Sequence, residues 1–237
     1  METGELSTAI VIAIDGPSGS GKSSVSRGVA SALGLEYLDT GAMYRAATWW
    51  CLEHGVPLTD LDAVAAQVRA LPLVMGVDPA NPTVHVGGVD VGAAIRETAI
   101  SSAVSAVATN LEVRAELGRL QRAAIQAARE DGSRGIVAEG RDITTVVAPD
   151  ADVRVLLTAS EEARLARRAK ELHGTADADA VEATRDQVLR RDADDSTVVQ
   201  FHVAADGVVT VDSSHLDFDQ TVQAVLDVVE SVVGPRA

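Results

Sequence analysis

The chain has 237 residues, 46% of them hydrophobic and 23% charged, which suits one good-sized globular domain and excludes wholesale disorder. With 20 basic residues against 35 acidic ones the net charge is −15, so neither a general nucleic-acid binder nor a binder of anionic membranes is expected. Aromatic residues make up only 3%, too few for base-stacking platforms, and the single cysteine, Cys51, precludes an intramolecular disulfide or a cysteine-based zinc site.

The opening METGELSTAI lacks the basic start of a secretory leader, and the apolar run at 9–14 is too short to cross a bilayer, so a cytoplasmic protein is expected. That run predicts a strand buried on both faces. It leads into DGPSGSGKSS at 15–24 and then a helix ending at Gly34. A short strand, EYLD, and a helix, GAMYRAATWWCLEHG, follow, with Trp49 and Trp50 expected in core packing. The text at 71–91, LPLVMGVDPANPTVHVGGVDV, is broken by Asp-Pro, Asn-Pro and Gly-Gly and predicts a small antiparallel meander. One long helical stretch is expected over 101–130. Strands follow at 135–139 and 153–159, a helix at 161–172, a last strand at 208–212 and a closing helix at 219–233. The Ala/Asp-rich 176–180 reads as a loop tip. Such alternation predicts an α/β fold, a parallel sheet with helices on both faces, spanning 1–237 as one domain with an insertion at about 60–110.

Gly16, Pro17, Ser18, Gly19, Ser20, Gly21, Lys22 and Ser23 match GxxxxGK[ST] in full, and Ser24 continues the run. The glycines allow backbone N–H groups to turn inward as an anion-binding nest, and the helix that follows aims its positive end at the same point. Lys22 would sit on the β- and γ-phosphates of ATP or GTP, with the Ser23 hydroxyl on Mg²⁺. No NKxD base-reading motif is present, which argues against a GTPase. The strand ending in Glu139 leaves an ATPase assignment open, while size and the insertion favour a small-molecule kinase.

Phosphoryl transfer needs two anionic phosphates brought in line and neutralised, so the arginines matter one at a time. Arg45 follows the second strand in Asp39-Thr-Gly-Ala-Met-Tyr-Arg45, and Arg141 follows the third in Glu139-Gly-Arg-Asp142, at the carboxyl edge where open α/β sheets bind ligands. Here the chain resembles bacterial cytidylate kinase, through IDGPSGSGKSS, YLDTGAMYR, IRE…SAVSAVATNLEVR, EGRDITTVV, DADVRVLLTAS and RRDADDS, over most of 10–196. The resemblance implies a P-loop kinase fold: a five-stranded parallel sheet, a monophosphate-binding unit inserted at about 60–110 with a small antiparallel sheet, and a helical lid at about 160–195. It implies the reaction ATP + CMP or dCMP → ADP + CDP or dCDP with Mg²⁺, in a monomer. Carried over by position, Lys22, Arg141, Asp142 and Arg191 would form the catalytic group. Thr40 and Arg45 would contact the acceptor nucleotide, and Ser105, Arg114 and Asp142 would read the cytosine edge. Arg141 would bridge the phosphates, Arg191 and Asp195 would close over acceptor phosphate and ribose, and Arg164, Arg167 and Arg168 would belong to the lid.

Each assignment has a plainer counterpart. Arg45 and Arg141 could be solvated helix-end charges, Ser105 an ordinary helical serine, and Arg114 half of a surface i,i+4 pair. Arg164, Arg167 and Arg168 could lie on a solvated helix face, with Glu161 and Glu162 near Arg168. The five histidines show no metal spacing. The chain departs from the resembled pattern at Val198, where an arginine is expected, in the 199–202 stretch beyond it, and after the EGRD motif, where the expected glycine is replaced within Ile143-Thr144-Thr145. A kinase for another acceptor such as UMP, or a nucleotide-binding regulator with weakened transfer, therefore remains open at this level.

Overall fold

The structure, a computed structural model, describes residues 9–234 apart from the side chain of Gln187; the opening residues on which the leader expectation rests lie outside it. In chain order the elements are β1 (Ile10–Asp15), α1 (Lys22–Leu33), β2 (Glu36–Asp39), α2 (Thr40–Glu53), α3 (Leu61–Arg69), β3 (Leu73–Met75), β4 (Val84–Val86) and β5 (Val89–Asp90). There follow α4 (Thr98–Ala108), α5 (Leu111–Glu130), β6 (Gly135–Gly140), β7 (Val153–Thr158), α6 (Glu161–His173), α7 (Ala178–Ser196), β8 (Val209–Asp212) and α8 (Phe218–Val233).

Five strands pair in the order β2-β6-β1-β7-β8, all parallel, with β1 in the middle. Alternation along β1 explains the layering. Ile10, Ile12 and Ile14 pack with α1 and α8, whereas Val11 and Ala13 pack with residues of α2 and α5 on the opposite face. A third cluster joins α2 to α3, β4, α4 and α5, and Trp49 and Trp50 lie partly buried against it. The 71–91 text forms the expected antiparallel sheet, β3-β4-β5.

Two expectations need correction. The helix over 101–130 is two helices, because Asn110 interrupts it and caps α5: its side-chain oxygen accepts from the Glu112 and Val113 amides. Nor is 176–180 a loop throughout, since Asp177 accepts from the Ala180 amide and starts α7 at Ala178. Among the described residues no helix is long and apolar enough to cross a membrane.

Candidate active site

Parallel pairing puts the carboxyl ends of three strands side by side. Asp15 lies beside Gly140, and Glu139 lies beside both Ile14 and Asp39. The loop leaving β1 rises at this edge. Gly19 has φ 76°, and a Cβ there would lie 2.5 Å from the Arg164 carbonyl; Gly21, at φ 88°, turns the chain into α1. The first amides of α1, which no helical carbonyl can satisfy, are thereby left at the loop. Lys22 Nζ donates to the Pro17 carbonyl at 3.3 Å, and burial lowers its affinity for its proton. The Ser23 hydroxyl donates to Glu139 Oε1 at 2.6 Å, and the Tyr37 hydroxyl donates to the same oxygen at 3.3 Å. Burial and then the neighbouring Asp39 push the Glu139 carboxyl upward, against the pull of Lys22.

Helix α6 holds this loop from behind. Arg164 donates to the Ser18 carbonyl at 2.9 Å; Arg167 donates to the Ser20 carbonyl at 3.1 Å and to the Ser213 carbonyl at 2.5 Å. Arg164 and Arg167 therefore form neither a solvated face nor a row on the cavity wall. Arg168 does line the cavity, and its ion-pair partner is Glu171 rather than Glu161 or Glu162.

The remaining arginines come from separate elements. Asp39 caps α2 by accepting from the Ala42 amide at 2.7 Å and pairs with Arg45 at 3.0 Å. Burial would raise the Asp39 carboxyl, but Arg45 and the Ala42 amide hold it below its usual value. The Thr40 hydroxyl donates to the Glu139 carbonyl at 2.7 Å. Arg141 pairs with Asp192 at 2.8 Å and with Asp195 at 3.0 Å. Asp192 also accepts from the Ser18 amide at 3.1 Å and pairs with Arg164, so one carboxylate joins the phosphate loop, α6 and Arg141. Arg114 pairs with Asp142 at 2.5 Å, donates to the Ala108 carbonyl at 3.0 Å and lies over the Tyr44 ring at 5.7 Å. Burial raises the Asp142 carboxyl, with Arg114 drawing it back. Arg191 is different: it meets Asp195 only at 4.0 Å, and burial together with Arg141 and Arg45 pushes it down to about 10. Its Nε and that of Arg45 are buried without a hydrogen-bond partner among the described residues. Buried cationic groups left in this state favour an anion between them.

A cavity of about 770 Å³ separates the loop from the arginines. It brings together Ser18, Gly19, Gly21, Lys22, Ser23, Ser24, Thr40, Arg45, Arg114, Arg141, Asp142, Arg168, Arg191 and Asp195. Gly16, Pro17 and Ser20 shape the loop without lining that space; a Cβ on Gly16 would fall 2.2 Å from the Leu157 carbonyl. Ser105 is half-buried on α4, and from that helix Ser101, Val104 and Ala108 line the cavity instead. The arginine-to-valine departure also looks different in three dimensions, because Val199, not Val198, faces the cavity.

Three contributors were not singled out by sequence reasoning. Asp192 sat unremarked inside the RRD run, and Phe201, whose ring lies 4.6 Å from the Arg141 guanidinium, had no motif at all. Asp15 is the third. Its buried carboxylate accepts from the Ile143 and Thr144 amides at 2.9 and 2.8 Å and from the Thr144 hydroxyl at 2.7 Å, fixing a π-helical turn, Ile143–Val147, directly after Asp142. The Thr144 hydroxyl, in the stretch where the resembled glycine is replaced, thus supplies a bond that glycine could not.

A parallel five-stranded sheet, a phosphate-binding loop after its central strand and a ring of arginines across the same edge define a protein of the P-loop kinase class. A solved sugar kinase from Janibacter sp. shares the fold, with a TM-score of 0.51 at 16% identity, covering 95% of this chain and 96% of that one. The sequence model of the cytidylate kinase family matches residues 12–231. Similar curated proteins include the cytidylate kinases of Streptomyces avermitilis, 49% identical, and Streptomyces coelicolor, 50% identical, each over 97% of both chains. That of Nocardia farcinica is 48% identical over 94% of both. The chain belongs to the cytidylate kinase family.

Proposed function

We propose that the protein transfers the γ-phosphoryl group of ATP to CMP or dCMP, giving ADP and CDP or dCDP. The observation that carries this reading is the pairing, across one cavity, of a complete phosphate loop with the under-neutralised Arg191 beside Arg45 and Arg141. The loop amides and Lys22 hold the triphosphate and take up the charge that develops on it. Arg45 and Arg191 bind the acceptor phosphate, and Arg141 spans the two phosphates. An acceptor phosphate oxygen then attacks the γ-phosphorus while the β–γ bridging oxygen leaves on ADP. No general base is required, because a phosphate monoester is already ionised near neutral pH.

Arg114 and Asp142 form a donor–acceptor pair that suits a cytosine edge: the exocyclic amine donates to the carboxylate, and N3 and O2 accept from the guanidinium. Thr40, Asp142 and Asp195 complete the acceptor side in this reading, and Ser105, which does not line the cavity, is left out of it. Residues 60–110 serve as the monophosphate-binding unit and 160–195 as the lid, in a cytoplasmic monomer. The oxygens of Ser23 and Glu139 suit Mg²⁺, which favours a few protein oxygens together with substrate phosphates. Bound there, Mg²⁺ would neutralise charge on the β- and γ-phosphates.

The direct test is ADP release with CMP, dCMP, UMP, dTMP and AMP as acceptors. CMP and dCMP are expected to give the highest kcat/KM. Equal or better turnover with AMP or UMP would remove the cytosine assignment, and ATP binding without transfer to any of the five would remove the kinase assignment.

A further inference from the structure

Phe201 is 1% exposed and among the largest fully buried side chains of the protein, yet it belongs to none of the three hydrophobic clusters. It lies outside any helix or strand, five residues beyond the end of α7. Its ring has instead been laid against a charged group, the Arg141 guanidinium, at 4.6 Å. An aromatic face attracts such a cation, and the attraction strengthens when both are withdrawn from water.

The segment leading to Phe201 is tied down. The Val198 and Val199 amides donate to the Asp195 carbonyl at 3.2 and 3.1 Å, and the Ser196 hydroxyl lies 3.1 Å from His202 Nε2. Arg141 is consequently fixed on one edge by Asp192, at Nε by Asp195, and on one face by Phe201. The carboxylates fix its position. A ring is what sets the tilt of a planar guanidinium about those two contacts, and the tilt decides where its remaining donors point.

We propose that Phe201 is a positioning residue for phosphoryl transfer, setting the plane of the Arg141 guanidinium from the segment that follows α7. The inference rests on the reading of Arg141 as the group that spans the two phosphates. It also gives a task to the stretch in which this chain leaves the resembled pattern.

The test compares F201L, which keeps an apolar side chain but loses the ring, with the wild type and with R141K and R141K/F201L. F201L is expected to lower the melting temperature by no more than about 5 °C and to keep its KM for ATP while kcat with CMP falls about ten- to a hundredfold, as for a displaced catalytic contact. In the R141K background the same substitution is expected to change kcat less than twofold, a coupling that a general packing defect would not produce. If F201L does not fold, F201M takes its place. The Arg141 Nε–Hε resonance, identified by its loss in R141K, is expected to carry a ring-current shift that F201L and F201M abolish. Full turnover in F201L, an equal loss in both backgrounds, or an Arg141 resonance indifferent to residue 201 overturns the proposal. A wild-type protein that leaves CMP unphosphorylated overturns the functional reading first, and this one with it.

Discussion

On the loop side of the cavity the anion-binding groups are main-chain N–H groups and one lysine, all within nine consecutive residues and braced by Arg164 and Arg167 from α6. Across the cavity they are guanidinium groups on α2, α5, the turn after β6, and α7, most of them held by a carboxylate. The first construction is set by local backbone conformation and stands ready before any ligand arrives. The second must be assembled by the whole fold, and in the proposed reaction its carboxylates would compete with the phosphates for the arginines. Arg191 meets a carboxylate only at 4.0 Å, and burial together with Arg141 and Arg45 weakens its hold on its proton.

The largest effect should come from the loop. Lys22→Ala is expected to lower kcat about a hundred- to a thousandfold, as the loss of one preorganised charge-stabilising group does. Its melting temperature should stay within a degree or two of the wild type, by calorimetry; a protein that unfolds instead would break the idea that the loop is held mainly by its backbone. On the other side, Arg191→Met should raise KM for CMP about tenfold or more, with KM for ATP little changed. Without nucleotide the same substitution should raise Tm by about 2–4 °C, because a buried cation with only a 4.0 Å ion pair is removed. A lower Tm would show that Arg191 is neutralised in the resting protein, and the contrast between the two sides would lose its sharpest term.

Asp15 offers a test by pH. Burial, opposed by the Thr144 and Ile143 donors, raises its carboxyl from 3.8 to about 6. The folded protein therefore binds this proton more tightly than the unfolded chain, and the stability it contributes is complete below about pH 4 and lost as pH rises through about 6. Asp15→Asn should flatten the stability profile across that window by up to about 1.4 kcal/mol per pH unit. Denaturant titrations at pH 4, 5, 6 and 7 would show it, and parallel profiles would mean that Asp15 titrates normally. The smallest change is expected from Val198→Arg, about a two- to fivefold lower KM for CMP. Since Val199 rather than Val198 faces the cavity, identical kinetics would establish that the position has no part in acceptor binding.

What the amino-acid text disclosed follows the same division. The phosphate loop was legible in full because its function resides in consecutive backbone angles that glycines record, and the central strands were legible because burial on both faces leaves an unbroken apolar run. Arg45 and Arg141 were legible from their places just after strands at the carboxyl edge, and Arg114 only through the resembled motifs; but nothing local marks Asp192 as the partner of Arg141, which lies 51 positions earlier. Phe201 was invisible for a related reason, since a lone aromatic in an irregular stretch has no period to betray what it packs against. The Asn110 break shows a milder failure, in which a cap residue was present but the apolar pattern on either side outweighed it.

Asp192 spends both of its oxygens on opposite clients: one serves the Ser18 amide and Arg141, the other Arg164. The phosphate loop, helix α6 and Arg141 therefore share a single mechanical joint. A turn of that one carboxylate would loosen the loop and Arg141 together, so in the proposed reaction affinity for ATP and alignment of the acceptor phosphate would not be tuned separately at this point in the fold.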